Sequence, residues 1–369
     1  DEFDDEQRIK LRHFVKKRNE ENKNLKNKFF EELTETKIKE INKNYQIPKF
    51  MDKILLVLEY ILDNTSYFEE YLIFNLSEMF TLFYCKHTTE LFNIIQFLND
   101  NRVMLVLSLD GKKETHDNMR PFPNKTGSYD AAVRGFKKVI ESRNGKNYYL
   151  RGTYTHFNPH FAEDTLDMTK IGKELSVEPV VGIDEPYVLT EADLPVLYEE
   201  YDKLARAYLQ KRREGDAFDF FHFNVALDNG PCVAKRLAGC GAGHEYFAIT
   251  PEGDIYPCHQ FVGREEYKLG TLETGVVKPD LVQKFRHTHV MTKTECSTCW
   301  ARFFCSGGCH ANADLINGDI SKPYQYGCKL QKKRLECAIV LQAILAAEAQ
   351  EGKDMRPEIT NFKYEVEHK

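Results

Sequence analysis

Seven cysteines in the C-terminal part of the chain have the type and spacing to hold metal: Cys240, Cys258, Cys296, Cys299, Cys305, Cys309 and Cys328. Four of them fall in one block, CSTCWARFFCSGGC, separated by two, five and three residues. Thiolates are soft ligands. Cys-x-x-Cys sets two of them on one turn, and distant cysteines complete a set. The small residues of SGGC let the backbone approach a cluster closely and leave N–H groups free for its sulfides. A Cys-x-x-Cys pair with two further cysteines also suits zinc. Seven thiols exceed what one ion takes, so the arrangement reads as ligands for more than one iron–sulfur cluster. A brown protein with broad visible absorption separates that reading from a colourless zinc protein.

The elements that must position these thiols are of two kinds. Upstream, VMLVLSLDG (103–111) is a short apolar run ending in Asp-Gly, the pattern of a buried strand and turn. A helix follows over 128–142, then a strand YYLRGTYT (148–155), a helix over 162–175 and a short strand VEPVV ending at Val181. YLIFNLS (71–77) reads as another strand and TTELFNIIQFLNDN as a helix. Alternating strand and helix argue for an α/β fold with a parallel sheet. TEADLPVLYEEYDKLARAYLQKRR (190–213) opens with a capping box, Thr190 and Asp193. After about Asn229 periodicity fades and Gly and Cys crowd together, as expected where metal replaces an apolar core. A closing amphipathic helix is predicted over 331–347, with Cys337 as a buried thiol.

The predicted domains are a charged helical arm (1–50), a partial (β/α) barrel (51–229), a cysteine-rich domain with its closing helix (230–350) and a tail (351–369). A net charge of -6 over 369 residues gives no general attraction to nucleic acid or to an anionic membrane. No apolar run is long enough for a bilayer. The acidic start DEFDDEQRIK lacks a signal-peptide layout, so the expected location is the cytoplasm. There, 10 cysteines imply metal binding rather than disulfides.

The pattern Cys240-x12-Gly253-x4-Cys258, Cys296-x2-Cys299-x5-Cys305-x3-Cys309 and Cys328 resembles the SPASM domain of radical S-adenosylmethionine enzymes. More narrowly, GCGAGHEYFAITPEGDIYPCHQFVG, CWARFFCSGGCHANA and LSLDGKKETHDNMRPFPNKTGSYD are similar to maturases of SCIFF peptides, which are themselves like the sulfatase maturases. The resemblance covers about residues 100–350. It implies a parallel radical-SAM-type barrel followed by a domain with two auxiliary [4Fe–4S] clusters. By that resemblance Cys296, Cys299, Cys305 and Cys328 hold auxiliary cluster II. Cys240, Cys258 and Cys309 hold auxiliary cluster I, with Cys232 or a substrate thiolate as its fourth ligand. Ser108, Asp110 and Arg151 are implied for binding of S-adenosylmethionine. The implied activity joins a Cys sulfur to a carbon of a Cys-rich precursor peptide, with a flavodoxin or ferredoxin as electron donor.

One family element is not in the sequence. The radical cluster is held by Cys-x3-Cys-x2-Cys after the first barrel strand, and Cys85 is the only cysteine before Cys232. The Gly-Gly-Glu-Pro segment is also missing. Two alternatives therefore stand beside the maturase reading: a non-catalytic iron–sulfur protein that binds peptide or transfers electrons, and a truncated or misread maturase gene. Among other residues, Glu185 is a candidate proton acceptor. Arg120 is a candidate for peptide contact or a surface charge. His116 and Asp117 read as a solvated turn, and His156 and His160 as loop residues. His259 and His310 are expected near cluster sulfur, and Trp300 is expected to pack beside cluster II.

Overall fold

A computed structural model describes residues 73–75, 95–101, 103–225 and 236–350. The predicted arm (1–50), the helical pattern after residue 51, Cys85, Cys232 and the tail (351–369) lie outside them.

Five parallel strands form the body: β1 (Ile73–Asn75), β2 (Met104–Ser108), β3 (Tyr148–Tyr154), β4 (Glu174–Pro179) and β5 (Asp219–Phe220). They lie side by side in chain order. The crossovers carry α1 (Lys113–Met119) and α2 (Tyr129–Ser142) between β2 and β3, α3 (Phe161–Met168) before β4, and α4 (Leu194–Arg213) before β5. Alternation along each strand gives the sheet two faces. Leu105, Leu107, Leu150, Leu175 and Val177 belong to a core with Phe136, Val139, Phe161, Leu197, Tyr201 and Leu204 of the helices. The opposite face is polar. Its register sets Ser108 beside Arg151 and Arg151 beside Ser176, with Thr153 beside Glu178.

The predicted strands at 71–77, 103–111 and 148–155 appear as β1, β2 and β3, and the helix predicted over 128–142 is α2. The helix predicted over 162–175 is a correction: α3 ends at Met168 and β4 has begun by Glu174. Gly172 explains the early stop. A Cβ there would stand 2.6 Å from the Tyr148 hydroxyl, while the Lys173 amide donates to that hydroxyl at 2.8 Å. The chain thus turns under Tyr148 and enters the sheet. The capping box is present, with Asp193 Oδ2 accepting from the Thr190 amide at 2.7 Å and its hydroxyl at 2.9 Å.

The cysteine-rich domain contains a small antiparallel sheet of β6 (Ala248–Ile249), β7 (Asp254–Tyr256), β8 (Gly270–Thr271) and β9 (Gly275–Val276). Short helices follow: α5 (Pro279–His287), α6 (Thr294–Ser297), α7 (Arg302–Cys305) and α8 (His310–Asn317). Its own apolar cluster is modest and includes Cys258, Tyr256, Phe261, Tyr267, Phe285 and Ile320. The closing helix, α9 (Gln325–Gln350), is longer than predicted. Tyr326, Leu330, Cys337, Ala338, Leu341 and Leu345 form its buried stripe and join the core of the body. Cys337 is buried, as its sequence context predicts. Among the described residues no helix is long and apolar enough to cross a membrane.

Candidate metal centre

All eight cysteines of the described residues are free thiols. Seven of them sort into two electrostatic neighbourhoods. Cys258 feels Cys309 and Cys240, and Cys240 feels Cys309. Separately, Cys328 feels Cys305, Cys296 and Cys299, and Cys296 feels Cys305 and Cys299.

Among the described residues no three His, Cys, Asp or Glu side chains gather at the spacing of a single metal ion. A cube of iron and sulfide holds its thiolates farther apart than one ion does, so two looser groups of soft donors suit such a centre. The backbone supports that chemistry. The Phe261 amide donates to the Cys258 carbonyl at 3.0 Å and the Gly308 amide to the Cys305 carbonyl at 3.4 Å, so tight turns follow both cysteines and bring amides near their sulfurs. Ser306, Gly307 and Gly308 are consecutive left-handed residues, with φ of 57°, 85° and 74°. Successive N–H groups in such a turn make a concave anion site, and it follows Cys305 directly. Gln260 Nε2 also lies 3.6 Å from Cys309 Sγ. Burial pushes the metal-free thiols up, Cys258 to about 12 and Cys328 to about 11, so loading a metal must release protons.

His310 is buried, but its ring bonds the Thr288 carbonyl at 3.0 Å and packs edge-on to Phe285. The His259 ring faces the Tyr246 hydroxyl at 3.4 Å. The Trp300 side chain is 53% exposed.

The polar face of the parallel sheet is the second part of the site. Ser108 and Arg151 are register neighbours on adjacent strands. Arg151 acts electrostatically on Glu178, His222, Tyr246 and His259, which places its charge between the sheet and the Cys258 segment. Asp110 has a structural task. Its carboxylate accepts from Arg120 Nε at 2.6 Å and from the Thr153 amide at 2.9 Å, so Arg120 is an internal partner rather than a free surface charge.

His116 and Asp117 are likewise part of the fold and not a solvated turn. His116 Nδ1 accepts the Asp110 amide at 3.3 Å and Nε2 meets Ser128 at 3.1 Å. Asp117 receives the Tyr129 amide at 2.7 Å. His156 and His160 pair with Asp193 and Glu200. Glu185 stands on an exposed turn after β4.

Sequence reading missed Glu178, His222 and Arg334. Glu178 Oε1 lies 2.9 Å from His222 Nε2, and Arg334 Nη1 lies 2.7 Å from His222 Nδ1. Burial alone would push the Glu178 carboxyl up. It is nevertheless held well below the usual range by His222, Arg334 and Arg151. Burial lowers His222, against the pull of the Glu178 carboxylate, and the permanent cations beside that carboxylate are Arg334 and Arg151. Arg334 interrupts the apolar stripe of α9 and also acts on Cys305, linking this group to the second thiol set. Its only signal in the sequence is a charge at a helical core position.

Comparison with known proteins agrees with this layout. Residues 240–300 match SPASM, an iron-sulfur cluster-binding domain. The chain is 24% identical over 241 residues to a cysteine-type anaerobic sulfatase-maturating enzyme of Clostridium novyi, covering 59% of this chain and 60% of that protein. It is 25% identical over 267 residues to a serine-type anaerobic sulfatase-maturating enzyme of Bacteroides thetaiotaomicron, covering 63% and 61%. The chain thus spans about three fifths of the length of these relatives. A solved structure of native anSMEcpe with bound AdoMet and Cp18Cys peptide shares the fold, with a TM-score of 0.54, 18% identity and coverage of 69% of this chain and 72% of that one. The chain thus joins a parallel-sheet body, of the fold seen in that structure, to a cysteine domain that matches SPASM. In sequence the chain is similar to anaerobic sulfatase-maturating enzymes of both the cysteine and the serine type.

Proposed function

We propose that the chain is a peptide maturase component that holds two auxiliary [4Fe–4S] clusters and forms Cys thioether crosslinks in a ribosomally made, SCIFF-type peptide. The observation that carries this reading is the sorting of the described cysteines into Cys240, Cys258 and Cys309 on one side and Cys296, Cys299, Cys305 and Cys328 on the other. The first set has three described thiols, which leaves a fourth position for Cys232 or for the thiolate of a Cys-rich precursor peptide.

S-adenosylmethionine, when bound and reduced, supplies hydrogen abstraction from carbon. The chain's own residues bind and orient. Ser108 and Arg151 present a hydroxyl and a cation side by side for a ribose or carboxylate. Glu178, kept ionised, holds His222 on the same wall of the sheet. Electrons come from a flavodoxin or ferredoxin, in the cytoplasm.

A second reading is favoured by one observation: the sequence contains no Cys-x3-Cys-x2-Cys. It makes the chain a non-catalytic iron–sulfur protein that binds peptide or passes electrons. One experiment tests both. The anaerobically reconstituted chain is assayed for iron, for 5′-deoxyadenosine and for loss of two hydrogens from a Cys-containing peptide. About twelve irons per chain with cofactor cleavage and crosslinking supports the maturase; about eight irons without cleavage supports the non-catalytic reading. A chain that takes up no iron sinks both.

A further inference from the structure

Lys293 is among the largest fully buried side chains of the molecule, 1% exposed, and it lies inside the cysteine domain. Its backbone carbonyl accepts the amides of Cys296 and Ser297, both at 3.0 Å, so it begins the turn that presents Cys296. Its side chain runs the other way. The ammonium donates to the Gly307 carbonyl at 2.9 Å, within the loop between Cys305 and Cys309. The fit is close: a Cβ on Gly307 would stand 3.7 Å from Lys293 Cδ.

The ammonium is thus enclosed by the loop between Cys305 and Cys309 and by the turn that carries Cys296, and the ionisable groups it faces are Cys296, Cys305, Cys309 and Cys328. These four thiols come from both neighbourhoods. A buried ammonium with a carbonyl as hydrogen-bond partner loses more solvation than that bond restores. Folds keep such a charge where an opposite charge compensates it.

We propose that Lys293 is the internal counterion of the auxiliary iron–sulfur centres and raises the one-electron potential of the one built on Cys296, Cys299, Cys305 and Cys328. The proposal rests on the cluster reading given above. Reduction by a low-potential one-electron donor such as dithionite adds one negative charge and no proton to such a centre. A fixed ammonium beside it favours the reduced form, because net charge and burial set the potential. Lys293 is thus a positioning residue, acting through the cluster and not on substrate.

The test uses the full chain reconstituted with iron and sulfide, with dithionite titration followed by electron paramagnetic resonance. Lys293→Met removes the charge while keeping most of the bulk, and Lys293→Arg keeps the charge. Lys293→Met is expected to hold wild-type iron and to shift its one-electron equilibrium at least tenfold toward the oxidised form, about 59 mV more negative. Lys293→Arg is expected to stay near the wild-type potential. Wild-type iron in Lys293→Met with an unmoved potential overturns the counterion assignment alone. If Lys293→Met loses iron, recovery of iron and potential in Lys293→Arg supports the assignment, and no recovery overturns it. A wild-type chain that takes up no iron overturns the cluster reading and the counterion with it.

Discussion

The parallel-sheet body and the cysteine domain are built on opposite principles. In the body, Leu105, Leu107, Leu150 and Leu175 meet helices through Phe136, Phe161 and Tyr201, all 1% exposed or less. Apolar burial of that kind drives folding without help from a ligand. The cysteine domain has strands of two or three residues and a small cluster around Phe261 and Phe285. It buries Lys293, His310 and thiols where a core would place leucines. The difference teaches that one region carries its own stability while the other needs a bound group to complete it.

Four experiments press on that contrast, the largest effect first. Stripping iron from the reconstituted protein should abolish amide protection across 236–324 while 103–225 stays protected in hydrogen exchange. Joint loss of both would show one cooperative unit instead. Phe136→Ala should do the reverse, costing about 3–5 kcal/mol in urea unfolding of the body. Its iron content should equal that of wild type. Asp193→Ala removes the acceptor for Thr190 and His156 at the start of α4. About 1 kcal/mol should be lost, again with no change in iron.

The smallest effect is a pH dependence. Burial lowers His116 from 6.5, with the ring held neutral between Asp110 and Ser128. The unfolded chain therefore takes up a proton first. The stability contributed is complete above about pH 6.5 and falls as pH drops below that value. His116→Asn should flatten the slope of urea midpoint against pH between 7 and 5. An unchanged slope would assign the acid sensitivity elsewhere.

How far each region could be read in the sequence follows the same division. Strands β2 and β3 carry enough apolar alternation to be located, and Thr190 with Asp193 marks the 3-10 turn that leads into α4 at Leu194. The boundary between α3 and β4 was misjudged because Ile171 and Leu175 continue a helical spacing, and only the ring of Tyr148 makes Gly172 a turn. The four short strands of 248–276 have no period to detect. The cysteine spacing was legible because ligand spacing is itself a local pattern. Lys293, Glu178 and Arg334 were not, since nothing in a charged residue's neighbours along the chain says that it will be buried. Trp300 shows the converse, an aromatic residue left half in solvent.

Helix α9 has a consequence in time. It opens with Cys328 and goes on to lay Leu330, Ala338 and Leu341 against the body. A chain leaving the ribosome exposes the sheet first and this helix late. Docking of α9 and delivery of the last thiol of the second set are therefore one event. If the proposed second cluster forms, its last thiol arrives only with the helix that covers the sheet.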